Sequence, residues 1–544
     1  MCNNIVIFGP THSGKSTLIG YLHVYQMCED EYNWRNLRIK RKIEEMGYKY
    51  KKDRILAYYA DQGIDEIKSY DKAEKSRGTS KRIHIKETAL DMELNCTFID
   101  TPGSDIAWKH KNEGLFLGEI GIFMIEIGKV IELSRKVIGS NAYNAKVNEL
   151  FSSIYLWKHY KRMKRIIVVI SKVDMILYSS YAVKRAESTL RSIDILKDVP
   201  IIPISIDVDN RRSHNVFECQ SEEMQWYTGN SLITEIKKML IRENEVIADN
   251  NELFAHIERI IPRTQSNNQP AVRVKVLNGT IHERDEIYLG PFKYNGENIM
   301  LKGQILSIKN ETRGLVSNLS KGEIGGIIFS KLWNKRERLK LTDVKQKRTS
   351  IVCKNSAICR EGNLLYFNID KRYFDDNVQD HFKHIVVGNR LKLIWFGRII
   401  SMHLLYIDEN SIQYNIVLMN TSSESLFMLP MKKNGKLLYE EFLLQLSDQL
   451  FINAHLSDLE MISDQSRREV IFTFDGIIED ISTLKGIEPD FICSYDWEMD
   501  QTYAKWNNLT DVSIKRIMES TMKFIRSRNI KVYKTNILPQ EKNI

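Results

Sequence analysis

Three stretches carry residues whose types and spacing can do chemistry. Gly9-Pro10-Thr11-His12-Ser13-Gly14-Lys15-Ser16 fits the spacing G-x-x-x-x-G-K-S. In such a loop the backbone N–H groups, with those that open the next helix at Thr17, cradle phosphates. Lys15 then neutralises β/γ charge, and the Ser16 hydroxyl ligates Mg2+. Asp100-Thr101-Pro102-Gly103 offers a carboxylate that reaches the magnesium through water and a glycine N–H that meets a γ-phosphate. Ser171-Lys172-Val173-Asp174 offers a carboxylate to both N1–H and N2–H of guanine, with the Lys172 stem over the base. Adenine lacks that donor pair, and a buried carboxylate left unpaired allows discrimination on the order of 10⁴. Taken singly, D-x-x-G is common and S-K-x-D is often a solvated turn. Their order behind the phosphate loop makes GTP/GDP with Mg2+ the expected ligand.

Each stretch needs a strand that ends in front of it, and the apolar runs supply one. Ile5–Phe8 precedes the first, Cys96–Ile99 the second and Ile166–Ile170 the third. With Ile122–Ile127 and Ile201–Ile204 they alternate with helical stretches, the pattern of a parallel sheet flanked by helices, expected over residues 1–245. The polar run 256–269, with Pro262 inside, reads as part of a linker over 246–269. From Ala271 the texture changes to period-two alternation (Val272, Val274, Val276) and turns such as Asn278-Gly279, predicting a β-barrel over 270–335. Runs such as Leu391–Phe396 and Gln413–Leu418 predict a second barrel over 345–460. Residues 461–544, with a strand at Val470–Phe474 and a helix from Asp511 to Arg528, read as a small C-terminal α/β module of unknown type. The expected fold class is thus multidomain α/β plus β.

With 43% hydrophobic and 27% charged residues among 544, and 10 prolines, collagenous, mucin-like and largely disordered classes are excluded. Seven cysteines without a C-x-x-C pair support neither a disulfide framework nor a zinc ribbon, so a reducing, cytoplasmic compartment is expected. Met1-Cys2-Asn3-Asn4 runs straight into a strand, so no secretory signal is expected. The most apolar stretches, around 120–131 and 166–176, carry charges and fall short of the ~20 residues of a membrane span. Neither a membrane nor DNA is an expected partner, and a monomer is expected. The net charge of +9 is clustered, with 35–54, 158–165 and 331–348 dense in Lys/Arg. Single runs of this kind are often solvated faces, yet the clustering fits a polyanion partner.

Beyond the three stretches, the sequence resembles the translational GTPases of the elongation factor 1 alpha / elongation factor Tu class. Residues 39–61 followed by Glu74-Lys-Ser-Arg-Gly-Thr-Ser80 are similar to that family's segment ending E-R-x-R-G-I-T. The stretch SKVDMILYS from Ser171 is similar to its NKMD…YS, and Met224-Gln-Trp-Tyr-Thr-Gly229 to its M-P-W-Y-x-G. In the first barrel, Leu277-Asn-Gly-Thr-Ile281, Asp285–Gly290 and Gly303–Ile308 resemble the family's second domain. The likeness covers about 1–335, thins over the next barrel and ends near 460. The first three of these stretches match sulfate-activation GTPases as well.

The resemblance implies Lys15 and Ser16 at phosphate and magnesium, Ser80 or Thr79 as a switch-loop magnesium ligand, and Asp100 and Gly103 at the γ-phosphate. It also implies Lys172 and Asp174 at guanine, with Ser205 and Ile206 in the loop that meets the guanine carbonyl. Three positions depart from the family pattern. His12 stands where the loop aspartate is expected, Ser171 where asparagine is, and Ser104 where the histidine that orients the attacking water is. A strand expected ahead of Ala271 looks truncated. The function implied is a GTP-binding translation-factor-like switch with slow GTP hydrolysis, acting on the ribosome or another structured RNA, tRNA being one candidate. The alternatives are a GTP-binding scaffold with little hydrolysis, or the GTPase subunit of a metabolic enzyme such as sulfate adenylyltransferase. Two further readings are bland: His12 as an exposed loop residue, and Trp226 with Tyr227 as packing residues.

Overall fold

The computed structural model describes residues 4–25, 27–45, 56, 59, 83–89, 95–103, 108–160, 165–207, 212–217, 221–241, 253–261, 270–310, 314–334, 337–354, 359–362, 364–374, 376–383, 385, 390–409, 412–419, 427–430, 441–446, 450–460, 471–473, 476–478, 491–496 and 501–506. The expected helix over 511–528 lies outside them. By contacts the chain divides into two compact units: Met1–Glu286 with Gln304–Lys331 and Phe396–Arg398, and Ile287–Gly303 with Leu332–Trp395 and Ile399–Ile544.

The first unit opens with β1 (Asn4–Phe8), α1 (Lys15–Val24), α2 (Glu29–Glu45), β2 (His84–Ala89), β3 (Asn95–Asp100), α3 (Trp108–Leu117) and β4 (Ile120–Glu126). It continues with α4 (Ile127–Ser134), α5 (Asn141–His159), β5 (Ile166–Ser171), α6 (Ser180–Arg191), β6 (Ile201–Pro203), β7 (Ser205–Asp207), β8 (Arg212–His214) and α7 (Leu232–Ile241). β1 to β6 form one sheet in the order β2-β3-β1-β4-β5-β6, parallel except for β2 against β3.

Every residue of β1 is buried because helices cover both faces. Ile5 and Ile7 join Leu18, Leu22, Ile122 and Val169 in one cluster. On the opposite face Phe8 meets Phe123 edge-on at 5.5 Å and stacks on Trp157 at 5.6 Å between ring centroids. In register, Ile7 lies beside Asp100, Phe8 beside Phe123 and Glu126 beside Ser171. The strands therefore end together, and the chain reverses direction across the sheet at β1, the position where α/β sheets open a crevice.

β9 (Phe254–Ile261) and β10 (Ala271–Asn278) pair antiparallel, from Ala271 beside Ile261 to Asn278 beside Phe254, and β10 also pairs with the strand Ile324–Asn334. β9 corrects two expectations: 254–261 are not linker, and the strand ahead of Ala271 is present. Of its polar residues His256 misled most, because it faces the interior, while Arg259 on the same strand is exposed. His256 is 2% exposed, its ring packed against those of Phe116 (6.0 Å) and Phe396 (5.2 Å).

In the second unit a closed barrel of six strands runs from Leu364 to Glu460, and a four-stranded antiparallel sheet lies between Ile471 and Trp506. A short helix, Asp376–Lys383, interrupts a region read as all strand. Among the described residues no helix is long and apolar enough to cross a membrane.

Candidate functional site

The loop between β1 and α1 takes its shape from positive φ at Gly9 (139°), His12 (64°) and Gly14 (87°). A Cβ on Gly9 would fall 2.1 Å from the Met124 carbonyl oxygen, so only glycine lets the loop lie against β4. Gly14 is the left-handed N-cap of α1 and its carbonyl accepts the Leu18 N–H at 2.9 Å. The first turn of α1 thus presents N–H groups and the positive end of its dipole to the loop. His12 is exposed, in keeping with the bland reading.

Lys15, 7% exposed, curls back over the loop. Its Nζ donates to the carbonyls of Gly9 (3.1 Å) and Pro10 (2.8 Å), and lies 3.4 Å from the Ser13 hydroxyl. Ser13 in turn donates to the Pro10 carbonyl at 2.9 Å. Burial pulls the Lys15 ammonium down to about 8, against the attraction of Asp100 and helped by the charges of Lys111 and Lys129. Burial likewise pushes Asp100 up to about 6, against its bond from Ser16 and the Lys15 charge. Gly103 closes the opposite wall: a Cβ there would sit 2.7 Å from both Lys15 Nζ and the Thr11 N. The Thr101 N–H and hydroxyl both reach the Ile7 carbonyl, at 3.2 and 3.0 Å, tying the segment after β3 to the end of β1.

The Ser16 hydroxyl donates to Asp100 Oδ2 at 2.5 Å, while Asp100 Oδ1 is buried with no hydrogen-bond partner. A buried carboxylate oxygen left without a partner calls for a cation or a water held by one. Mg2+ takes one or two protein ligands and completes its shell with phosphate and water oxygens, and the pair Ser16 and Asp100 fits that demand. Thr17 follows Ser16 within α1. Thr79, Ser80 and Ser104 lie outside the described residues.

The third stretch joins the same crevice. Ser171 is buried at the end of β5, and its hydroxyl donates to the Ser13 carbonyl at 2.8 Å and to Ile125 at 3.3 Å. At Ser171 the shorter side chain thus still bridges the two motifs. Lys172 adopts left-handed φ of 61°, and its Nζ pairs with Glu126 at 2.9 Å. Asp174 accepts the Ser205 hydroxyl at 2.6 Å, and Ile206 packs half-buried on the core. Trp226 donates its indole N–H to the Tyr178 carbonyl at 3.0 Å, and Tyr227 packs on the same core as Ile206, as a packing role predicts.

Three residues escaped the sequence reading. Lys129 donates to the Thr11 carbonyl at 2.7 Å, Glu126 holds Lys172, and Lys111 is buried near Lys15. Glu126 and Lys129 carried a signal, as charges inside an apolar run at the end of a strand neighbouring those that bear the motifs.

Against known proteins, the profile of the elongation factor Tu GTP binding domain matches residues 1–218. No curated protein matches the sequence significantly. Among solved structures the chain is similar to the S. cerevisiae Ski7 GTPase-like domain bound to GDP and inorganic phosphate, at 16% identity and a TM-score of 0.60, covering 84% of this chain and 97% of that one. The same domain bound to GTP gives 0.59 with the same identity and coverage. A bacterial selenocysteine-specific elongation factor, EF-Sec, gives 0.50 at 13% identity, over 97% of this chain and 64% of that one. At such identities the likeness is one of fold. The phosphate loop, the Asp100 segment and the Ser171–Asp174 stretch at one sheet edge all lie within the part of the chain, residues 1–218, that matches the elongation factor Tu GTP binding domain.

Proposed function

We propose that the chain is a guanine-nucleotide switch that acts on the ribosome or another structured RNA and hydrolyses GTP slowly. The observation that carries the nucleotide part is the bond from Ser171 to the Ser13 carbonyl, which ties the base-reading motif to the phosphate loop. In this reading Lys15 and the N–H groups of 9–17 hold the phosphates, and Ser16 and Asp100 hold Mg2+, which draws charge from the phosphate oxygens when bound. Asp174 reads the two guanine donors, with Ser205 fixing its carboxylate and Lys172 lying along the base. Thr79, Ser80 and Gly103 sense the γ-phosphate. Support for RNA as partner comes from the clustered positive charge and from the elongation-factor fold.

Slow hydrolysis follows from Ser104. A serine hydroxyl is several atoms shorter than an imidazole and does not place a proton acceptor at the same distance from the γ-phosphate. Loss of such a positioned group costs on the order of 10²–10⁴ in rate. Ser104 also favours a second reading, a scaffold that holds GTP without turning it over.

Titration with labelled nucleotides tests the first part: GTP and GDP bind and ATP does not, and Asp174→Ala loses guanine affinity. Equal affinity for ATP removes the guanine assignment. Co-sedimentation with ribosomes, with and without a non-hydrolysable GTP analogue, tests the second. Single-turnover hydrolysis of wild type beside Ser104→His separates a slow GTPase from a holder.

A further inference from the structure

Helix α2 has an outer face that the nucleotide site does not use. Its inner face is anchored by Tyr32 (8% exposed), Ile39 (1%) and Ile43 (6%). Tyr59 reinforces it, stacking on Tyr32 at 5.9 Å between ring centroids and donating its hydroxyl to Asn36 at 2.7 Å. At about 100° per residue, the side directly opposite carries Trp34, Leu37, Arg38 and Arg41. All four are exposed, Trp34 and Leu37 each at 58%. The Arg38 guanidinium lies over the Trp34 ring, 5.6 Å from its centroid. Lys40 is exposed on one flank, and on the other Arg35 is paired to Glu31 at 2.7 Å. Residues 33–42 contain five basic side chains and no acidic one, whereas the first turn holds Glu29, Asp30 and Glu31.

We propose that this face binds single-stranded RNA, with an unpaired base stacked on Trp34 and the neighbouring phosphates on Arg38, Arg41 and Lys40. An indole open to solvent with a guanidinium beside it is the platform on which bases stack, and the cations beyond it along the helix track a backbone. Trp34 and Arg41 lie about 10 Å apart along the axis at 1.5 Å per residue, the reach of a base and the phosphates next to it. A helical peptide in its place needs apolar anchors at i, i+3 or i+4, and i+7. Here Leu37 fills the i+3 position but the i+7 position is Arg41, with Arg38 beside the indole, and charge complementarity points to a polyanion. The acidic first turn repels phosphate, so the strand leaves toward the C-terminal end of α2. This rests on the RNA-directed reading above and names the kind of RNA contact it uses.

The test is fluorescence anisotropy of the full chain with a labelled short oligouridylate and with an RNA duplex of equal length. Trp34→Ala, Arg38→Glu with Arg41→Glu, and wild type are compared, and GDP binding serves as the check that each variant is folded. We expect wild type to prefer the single strand and Trp34→Ala to weaken that binding roughly five- to hundred-fold, as loss of one stacked base does. Duplex binding stays unchanged in Trp34→Ala. The double charge reversal weakens both RNAs and flattens the salt dependence. Equal binding of oligouridylate by wild type and Trp34→Ala overturns the proposal, as does preference for the duplex. So does capture of an acidic, leucine-containing peptide with no RNA affinity, which gives the face to a protein partner. Ribosome co-sedimentation separates the two levels. If ribosomes bind but oligouridylate does not, this inference fails and the switch reading stands. If oligouridylate binds through Trp34 and ribosomes do not, the reverse holds.

Discussion

In the proposed function Lys15 and Asp100 set a pH window for nucleotide capture. Capture of a Mg2+-nucleotide calls there for Asp100 ionised and Lys15 charged, and burial moves the two groups of the nucleotide-free protein to about 6 and about 8. Nucleotide affinity is expected to be flat from about pH 6 to 8, falling below as Asp100 takes a proton and above as Lys15 loses one. The stability of the nucleotide-free protein carries the opposite signs. Asp100 has a folded value above its unfolded 3.8, so its contribution declines as pH rises from about 4 to 6. Lys15 has a folded value below its unfolded 10.5, so its contribution increases from about 8 to 10.5. Nucleotide titrations and denaturant melts across pH 5 to about 10 check both. Gly103 is a second residue-level case. A methyl group there sits 2.7 Å from Lys15 Nζ and from the Thr11 backbone, so Gly103→Ala pushes the lysine and the loop off the phosphates. GTP affinity is expected to drop roughly ten- to hundred-fold, the worth of a charged hydrogen bond, with some loss of melting temperature because the Thr11 backbone has to move. Unaltered GTP affinity in this variant contradicts the assigned geometry.

Helix α3, which follows the Asp100 segment, is fixed at its far end. The last carbonyls of a helix have no partner within it and form the negative end of its dipole. Lys275, on β10 and 2% exposed, donates to the carbonyls of Phe116 (2.9 Å) and Leu117 (3.1 Å) and to Glu119 (2.7 Å). Its ammonium also lies 5.0 Å from the Phe116 ring centroid. From the same unit Arg398 pairs with Glu113 at 3.3 Å and donates to the Glu258 carbonyl. Removing one member of a buried pair costs about 3–5 kcal/mol. Lys275→Met is therefore expected to lower the stability of the first unit by that order in denaturant melts, and Glu119→Gln, which keeps an acceptor, by less. Amide exchange over 112–117 should quicken in Lys275→Met whichever nucleotide is bound. Unchanged exchange would show that the helix end is held by packing alone.

For the whole molecule, ligand and salt give separate readouts. GDP at a hundred times its Kd adds about 2.7 kcal/mol to the domain that holds it, so GDP is expected to raise its thermal transition and ATP to leave it in place. Ribosome or RNA association is expected to fall steeply with salt, with a log–log slope of roughly −0.7 to −0.9 per phosphate neutralised, and charge reversal within 35–54 to imitate high salt. Insensitivity to salt would set aside the polyanion role of the +9 charge.

Local order alone determined the nucleotide motifs. Gly9 to Ser16, Asp100 to Gly103 and Ser171 to Asp174 were legible because each is a contiguous run at the end of a strand, and such loops are shaped by backbone φ and by the strand that ends before them. The parallel sheet was legible for the same reason, from strands buried on both faces as unbroken apolar runs. Tertiary structure decided the rest. β9 read as linker because His256 and Glu258 are polar, yet His256 is polar against Phe116, 140 residues earlier in the chain, and against Phe396, another 140 later. Lys129 on Thr11, Lys275 on Phe116 and Arg398 on Glu113 join residues more than a hundred positions apart. A charged side chain chooses between solvent and burial according to partners that only the folded chain brings near it, and no spacing along the sequence encodes them.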